Sequence, residues 1–316
     1  MNELDLAFLA RAQNADGGWG YGAGESSTVE ATAAVVLALA RHDPAAAVRQ
    51  RGLAWLAAAQ HADGGWGLAR DDPESGWTTA WGVLALMRTD AARVSEVGYA
   101  AAVQRGVAWL MAVKALRVVD DRLQNEMRQK LAVDPTLSGW PWRPGEATWI
   151  EPTALAMLAL SAAETTAAAA ARLDEASRYL QDRRCRGGGL NFGNPVMLGG
   201  DLPPRSHPTA WALLALQRVS PQAIRDADLQ ILRDEMHRDG GALALACGLL
   251  ALAAVGRDDP AAAERLRAMQ RSDGSWNANP YHTAIAALTR PAAMATRWTA
   301  PHRFSTLDVC PLTPDA

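Results

Sequence analysis

The sequence predicts an all-α protein whose helices close into a barrel of six inner and six outer helices, and three observations predict it. A Gly-rich element recurs, as AQNADGGWG at 12–20, AQHADGGWG at 59–67 and MQRSDGSWN at 269–277. A helix of small and apolar residues with the pattern T-A-x-x-x-L-A-L recurs with it. Strand signals are scarce, since Val and Ile rarely alternate with polar residues, and the abundant Ala favours helix. Recurrence of one short unit along a chain marks a repeat architecture.

The elements follow in order. Amphipathic helices such as AAAVRQRGLAWLAAAQ and EASRYLQDRR precede the Gly-Trp elements, with charge on one face and apolar residues at helical spacing. The nearly uncharged helices come next: TAAVVLAL from Thr32, TAWGVLAL from Thr79, TALAMLAL from Thr153, TAWALLAL from Thr209, a degenerate LACGLLAL from Leu245, and TAIAALTR from Thr283. A helix apolar around most of its circumference must be surrounded by protein, whereas one with a charged face can meet water. Inner and outer rings result, and six units closing on themselves remove the exposed ends of an open solenoid. All inner helices then run the same way and start at one mouth. The long interval between Thr79 and Thr153 predicts an elongated or additional outer helix within 110–135. Residues 1–290 read as one domain; the proline-containing tail, 291–316, is expected to pack across one end of the barrel.

Composition narrows the function classes. The chain has 316 residues, 49% of them hydrophobic, enough for a sizeable core. A net charge of −3 with 21% charged residues gives no basic surface for nucleic acid. The acidic start MNELDLAFLARAQ does not resemble a signal peptide, and no apolar run reaches membrane-span length, so the expectation is a cytoplasmic protein with at most transient membrane contact. Cys185, Cys247 and Cys310 are odd in number and widely spaced, as expected of reduced thiols.

Gln13, Gln60 and Gln270 each precede a Trp (Trp19, Trp66, Trp276) across an Asp- and Gly-rich turn. A Gln amide donates and accepts at once, so these residues are expected to brace one unit to the next, with Lys114 and Arg184 in the equivalent places of other repeats. Aligned on Thr-Ala, the repeats place one residue of each inner helix at a common level near the mouth: Glu30, Trp77, Glu151, His207, Leu243 and Tyr281. Pro152 and Pro208 follow Glu151 and His207, which makes those two expected helix N-caps. One turn further in lie Trp81, Leu155, Trp211, Cys247 and Ile285. Trp81 and Trp211 either hold a chain or a cation against their faces or simply fill the barrel.

FLARAQNADGGWG and WLAAAQHADGGWG resemble the QW motif of the squalene-hopene cyclase and oxidosqualene cyclase family; GGGLNFGNP and YHTA also resemble protein prenyltransferase β subunits. The resemblance spans about 3–289 and implies an (α/α)6 toroid with QW-type Gly-Trp turns around an apolar cavity that holds an isoprenoid. In the cyclases a DxDDTA motif before an inner helix supplies the proton. WIEPTA puts Glu151 on its middle acid, with Trp149 and Pro152 where the other two acids stand and no second carboxyl in the motif. In the prenyltransferases a zinc ion is held by an Asp, a Cys and a His, whose places fall here on Arg205, His207 and His282. The two His give two of the three donors a catalytic zinc needs, with Glu151 or Asp201 available for the third.

The expected function is therefore a terpene cyclase-like enzyme, cyclising or isomerising an apolar isoprenoid or terpenoid by proton transfer without a cofactor. Glu151, His207 and Tyr281 are the catalytic candidates, with Glu151 either the acid or only a helix cap. Trp77, Trp81, Trp149, Trp211, His282, Glu30 and Arg205 are the substrate-binding candidates. A zinc-assisted prenyltransferase-like enzyme and a non-catalytic isoprenoid-binding toroid are the alternatives.

Overall fold

The computed structural model of the protein describes residues 3–42, 47–87, 97–163 and 166–290. Its helices, in chain order, are α1 (Glu3–Arg11), α2 (Val29–His42), α3 (Ala47–Ala58), α4 (Thr79–Leu86), α5 (Val97–Ala112), α6 (Asp121–Leu131), α7 (Ile150–Ala163), α8 (Ala167–Asp182), α9 (Ser206–Val219), α10 (Asp226–Asp239), α11 (Ala242–Ala254), α12 (Pro260–Ala268) and α13 (Pro280–Leu288). Two short antiparallel hairpins interrupt them: β1 (Trp140–Pro141) with β2 (Thr148–Trp149), and β3 (Val196–Met197) with β4 (Gly200–Asp201).

The six Thr-Ala segments form α2, α4, α7, α9, α11 and α13. Each packs on the next in that order, and α13 packs back on α2, so the inner ring is closed. Outer helices sit over the seams: α3 touches α2 and α4, α8 touches α7 and α9, and α10 touches α9 and α11. Composition explains the division. Every residue of α4 is buried, as are Ile150 to Leu160 of α7, whereas α6 has no buried residue. Helix α6 is the additional outer helix expected within 110–135. Its Asp120 is the N-cap and accepts from the Leu123 amide at 2.9 Å.

The Gly-Trp turns form one repeated joint. The backbone N–H of Trp19, Trp66 and Trp140 donates to Thr32, Thr79 and Thr153 at 2.9, 3.0 and 2.9 Å. Trp276 does the same to Thr283 at 3.1 Å. Each of these Thr residues thus has one role: it sits in the first turn of an inner helix and satisfies the amide of the preceding turn. The indole N–H of Trp19, Trp66 and Trp276 donates to a carbonyl ten residues back, on Leu9, Leu56 and Leu266. Gln13 donates to Gly17 within its own turn and to Val48 of α3, and Gln60 likewise to Gly64 and to Ala102 of α5. These are the expected braces, aimed at carbonyls of the next outer helix. Gln270 binds Gly274 and Asp5, and Arg290 pairs with the same Asp5, so the last brace joins the end of the ring to α1. Arg184 replaces Gln with an ion pair to Asp228 of α10 at 3.0 Å.

The segment 291–316, with Cys310, lies outside the described residues. Among the described residues, no helix is long and apolar enough to cross a membrane.

Candidate active site

Five of the six mouth residues are the second residue of their helix: Glu30 in α2, Glu151 in α7, His207 in α9, Leu243 in α11 and Tyr281 in α13. Glu151 and His207 are therefore not N-caps as expected. The helices start two residues earlier than that, Arg205 occupies the cap of α9, and the prolines fall at the third position. A first-turn carboxylate is favoured by the helix dipole, and burial opposes it. Burial prevails at Glu151, which is 8% exposed and has its pKa pushed up to about 8, first by loss of solvent and then by the charge of Glu30.

Glu30, a second buried carboxyl from a different repeat, is close enough for its charge to act on Glu151. It is 7% exposed, and burial pushes its pKa up to about 7. Tyr21 donates its hydroxyl to Glu30 Oε2 at 2.5 Å and opposes that rise, as does the nearby Tyr281 hydroxyl, which lacks a hydrogen bond of normal geometry. Burial and the Glu30 charge together raise the Tyr21 pKa well above the phenol range, so this hydroxyl keeps its proton. The sequence carried a signal for the pair, since Glu30 and Glu151 share one level in the repeat alignment. It carried none for Tyr21, which lies in an irregular turn outside the repeat.

His207 stands beside Glu151, with Nδ1 3.6 Å from Oε2. Desolvation, then the charge of His282, pushes its pKa down to about 4, so it is neutral at physiological pH and the contact is not an ion pair. Trp211 donates its indole N–H to His207 Nε2 at 3.0 Å. An indole nitrogen can only donate, so Nε2 is the acceptor and Nδ1 carries the proton toward Glu151.

Below the mouth the aromatic side chains meet one another. Trp81 of α4 packs edge to face on Trp211 of α9, with centroids 5.5 Å apart, and on Tyr281 of α13 at 6.1 Å. These helices are not neighbours in the ring, so the contacts cross the bore. At this level two indoles and a phenol meet across the bore where an open apolar cavity is expected. Trp81 Nε1 and Tyr281 Oη are buried without a hydrogen-bond partner, leaving two donors in the centre. Cys247 is buried there too, with its thiol pKa raised by desolvation, hence protonated and inert.

Other candidates lie elsewhere. Trp149 is in β2, is 36% exposed, and borders a groove outside the mouth together with Arg205; neither joins the carboxyl pair. The short β1–β2 hairpin pairs the backbone of Trp140, which is buried, with that of Trp149, which is partly exposed. Trp77 packs edge to face on Trp142 at 4.9 Å at the rim. His282 accepts or donates at Nδ1 with Asn277 at 2.9 Å and borders Tyr281. Asp201, considered as a zinc ligand, pairs with Arg186 on an exposed hairpin. Among the described residues, no three His, Cys, Asp or Glu side chains converge as a metal-holding group.

Residues 2–119 match the squalene-hopene cyclase C-terminal domain family. No curated protein matches the chain. Among solved structures it is similar to a protein from Actinoplanes, at 17% identity over 90% of this chain and 96% of that one, with a TM-score of 0.57. It is also similar to an alpha-amylase from Clostridium perfringens, at 10% identity over 90% and 95% of the two chains, with a TM-score of 0.61. Likeness at these identities extends to the fold alone. A type II terpene cyclase from Scytonema, in complex with geranylgeranyl dihydroxybenzoate, aligns over 90% of this chain and 94% of that one at 17% identity, with a TM-score of 0.42. The family match thus covers α1 to α5, and the helical ring continues beyond it through the remaining repeats.

Proposed function

We propose that the protein is an enzyme of the class II terpene cyclase type, which cyclises or isomerises an isoprenoid-bearing substrate by proton transfer at the mouth of the toroid, in the cytoplasm and without a cofactor. The observation that carries this reading is the buried pair of Glu30 and Glu151, with pKa values near 7 and 8. At neutral pH Glu151 keeps its proton and can act as general acid. Glu30, held by Tyr21, is poised to take a proton back. The two titrate as a pair, so the proton belongs to the site rather than to one residue. His207 presents Nδ1–H to Glu151 and positions its carboxyl.

A donor of so high a pKa is better matched to an epoxide or an allylic oxygen than to an isolated alkene, because oxygen takes up a proton more readily than a carbon–carbon double bond. Trp81, Trp211 and Tyr281 form an aromatic floor beneath the carboxyls, whose faces would steady positive charge developing on the chain. The test is to incubate the protein with linear terpenoid epoxides and prenyl diphosphates and to analyse products by mass spectrometry. Glu151→Gln and Glu30→Gln are each expected to lower kcat by about 100-fold or more. Turnover unaffected by either substitution would refute the assignment. The aromatic filling of the bore favours one second reading, a non-catalytic isoprenoid-binding toroid, for which the same assay would give bound but unchanged ligand.

A further inference from the structure

The groove outside the mouth has a composition of its own. It is a cavity of about 440 Å³, within the ~300–1,000 Å³ range of small-molecule sites. Leu116, Trp149, Phe192 and Met197 line it, and these are 62%, 36%, 49% and 50% exposed, an unusual concentration of large apolar side chains at the surface. Arg183 and Arg205 line the same groove. Asp182 pairs with Arg183, yet the Arg183 Nε is buried without a hydrogen-bond partner in a side chain that is only 5% exposed. Among the described residues Arg205 has no acidic partner within ion-pair distance, so the groove carries net positive charge beside apolar walls. It is anchored to the mouth: the Ile150 amide donates to Phe192 at 3.1 Å and the Arg205 amide to Leu190 at 2.8 Å, one residue from Glu151 and two from His207.

We infer that this groove is a second ligand site, which binds one molecule of a single-chain amphiphile with an anionic head, the hydrocarbon against Leu116, Trp149, Phe192 and Met197 and the carboxylate or phosphate against Arg205. The site stands without the proton chemistry of Glu30 and Glu151. A neutral chain would satisfy the walls and leave the arginine unmatched; a small anion would do the reverse. Only a molecule with both parts uses both.

Isothermal titration with alkyl phosphates and alkyl carboxylates of six to twelve carbons, below their micellar concentrations, tests this against alkanols of equal length. Affinity should rise about fourfold per methylene and then level off as the groove fills. The anionic series should bind about tenfold or more tightly than the alkanols. Which of the two anionic series binds more tightly identifies the head group. Arg205→Gln should erase the anionic preference, and Met197→Glu, at an exposed position that does not threaten folding, should weaken every chain. Glu151→Gln should bind as the unaltered protein does, which separates failure of this site from failure of the proposed reaction. Equal affinity for anion and alkanol, indifference to Arg205→Gln, or binding only to anionic lipid vesicles and not to dispersed amphiphile would each overturn the assignment.

Discussion

Trp211 and His207, one turn apart on α9, share a hydrogen bond in which the indole N–H is the donor and His207 Nε2 the acceptor, at 3.0 Å. That bond fixes the neutral tautomer and turns Nδ1–H toward Glu151. Replacing Trp211 with Phe removes the donor and keeps most of the aromatic body. Nitrogen-15 spectra of the His207 ring are expected to change from a single Nδ1–H tautomer to a mixture. An unchanged tautomer would mean that something other than Trp211 selects it.

The raised pKa of Glu151 makes stability depend on pH in a defined direction. The folded state holds a proton up to about pH 8 that the unfolded chain releases near 4.5, so stability falls as pH rises through that window. Glu30 adds to the fall up to about pH 7. His207, whose pKa is lowered, acts oppositely between about 6.5 and 4, where stability is lost on acidification. Glu151→Gln is therefore expected to match the unaltered protein near pH 4.5 and to exceed it at pH 8.5 by on the order of several kcal/mol. Urea unfolding at the two pH values measures the difference.

Tyr21→Phe deletes the hydrogen bond that the Tyr21 hydroxyl donates to Glu30. Because that bond favours the ionised carboxylate, its loss should raise the Glu30 pKa above about 7 and move the alkaline side of the pair's titration upward. Carbon-13 titration of the glutamate carboxyls would show it, and a downward shift would contradict the assignment of Tyr21 as donor.

Gly106 in α5 shows how tightly the Gly-Trp joint is built. A Cβ there would lie 2.6 Å from Val83 and 2.8 Å from the Trp66 indole, and Gly52 in α3 stands in the same relation to Val36 and Trp19. Replacing a mid-helix glycine by alanine gains up to about 1 kcal/mol of helix propensity, while overpacking a rigid core costs about 1–3 kcal/mol. Gly106→Ala should thus be net destabilising, with a lower urea midpoint; a stabilised variant would show that the indole can move aside.

Thr153→Val tests the other half of the joint. The substitution keeps shape and removes the acceptor for the buried Trp140 amide, which donates to Thr153 at 2.9 Å. Leaving that donor unpaired is expected to cost about 1–3 kcal/mol. The equivalent change at Thr32, which accepts from the Trp19 amide at 2.9 Å, should cost a similar amount, and a large disparity would argue against equivalence of the repeats.

The sequence by itself determined the helices, their division into inner and outer rings, the closure into six units and the turns that join them. Those features follow from interactions between residues close in the chain: apolar periodicity, a Gly-rich turn, and a Thr that serves the Trp before it. Residues far apart settled the rest. Glu30 and Glu151 come from helices two places apart in the ring, Trp81 touches Trp211 and Tyr281 only across the bore, and Trp149 lines a groove with residues from other segments. Whether facing side chains line a hollow or fill it depends on how closely six Ala-rich helices approach. That distance is set by packing around the whole ring, and no stretch of chain shorter than the ring encodes it.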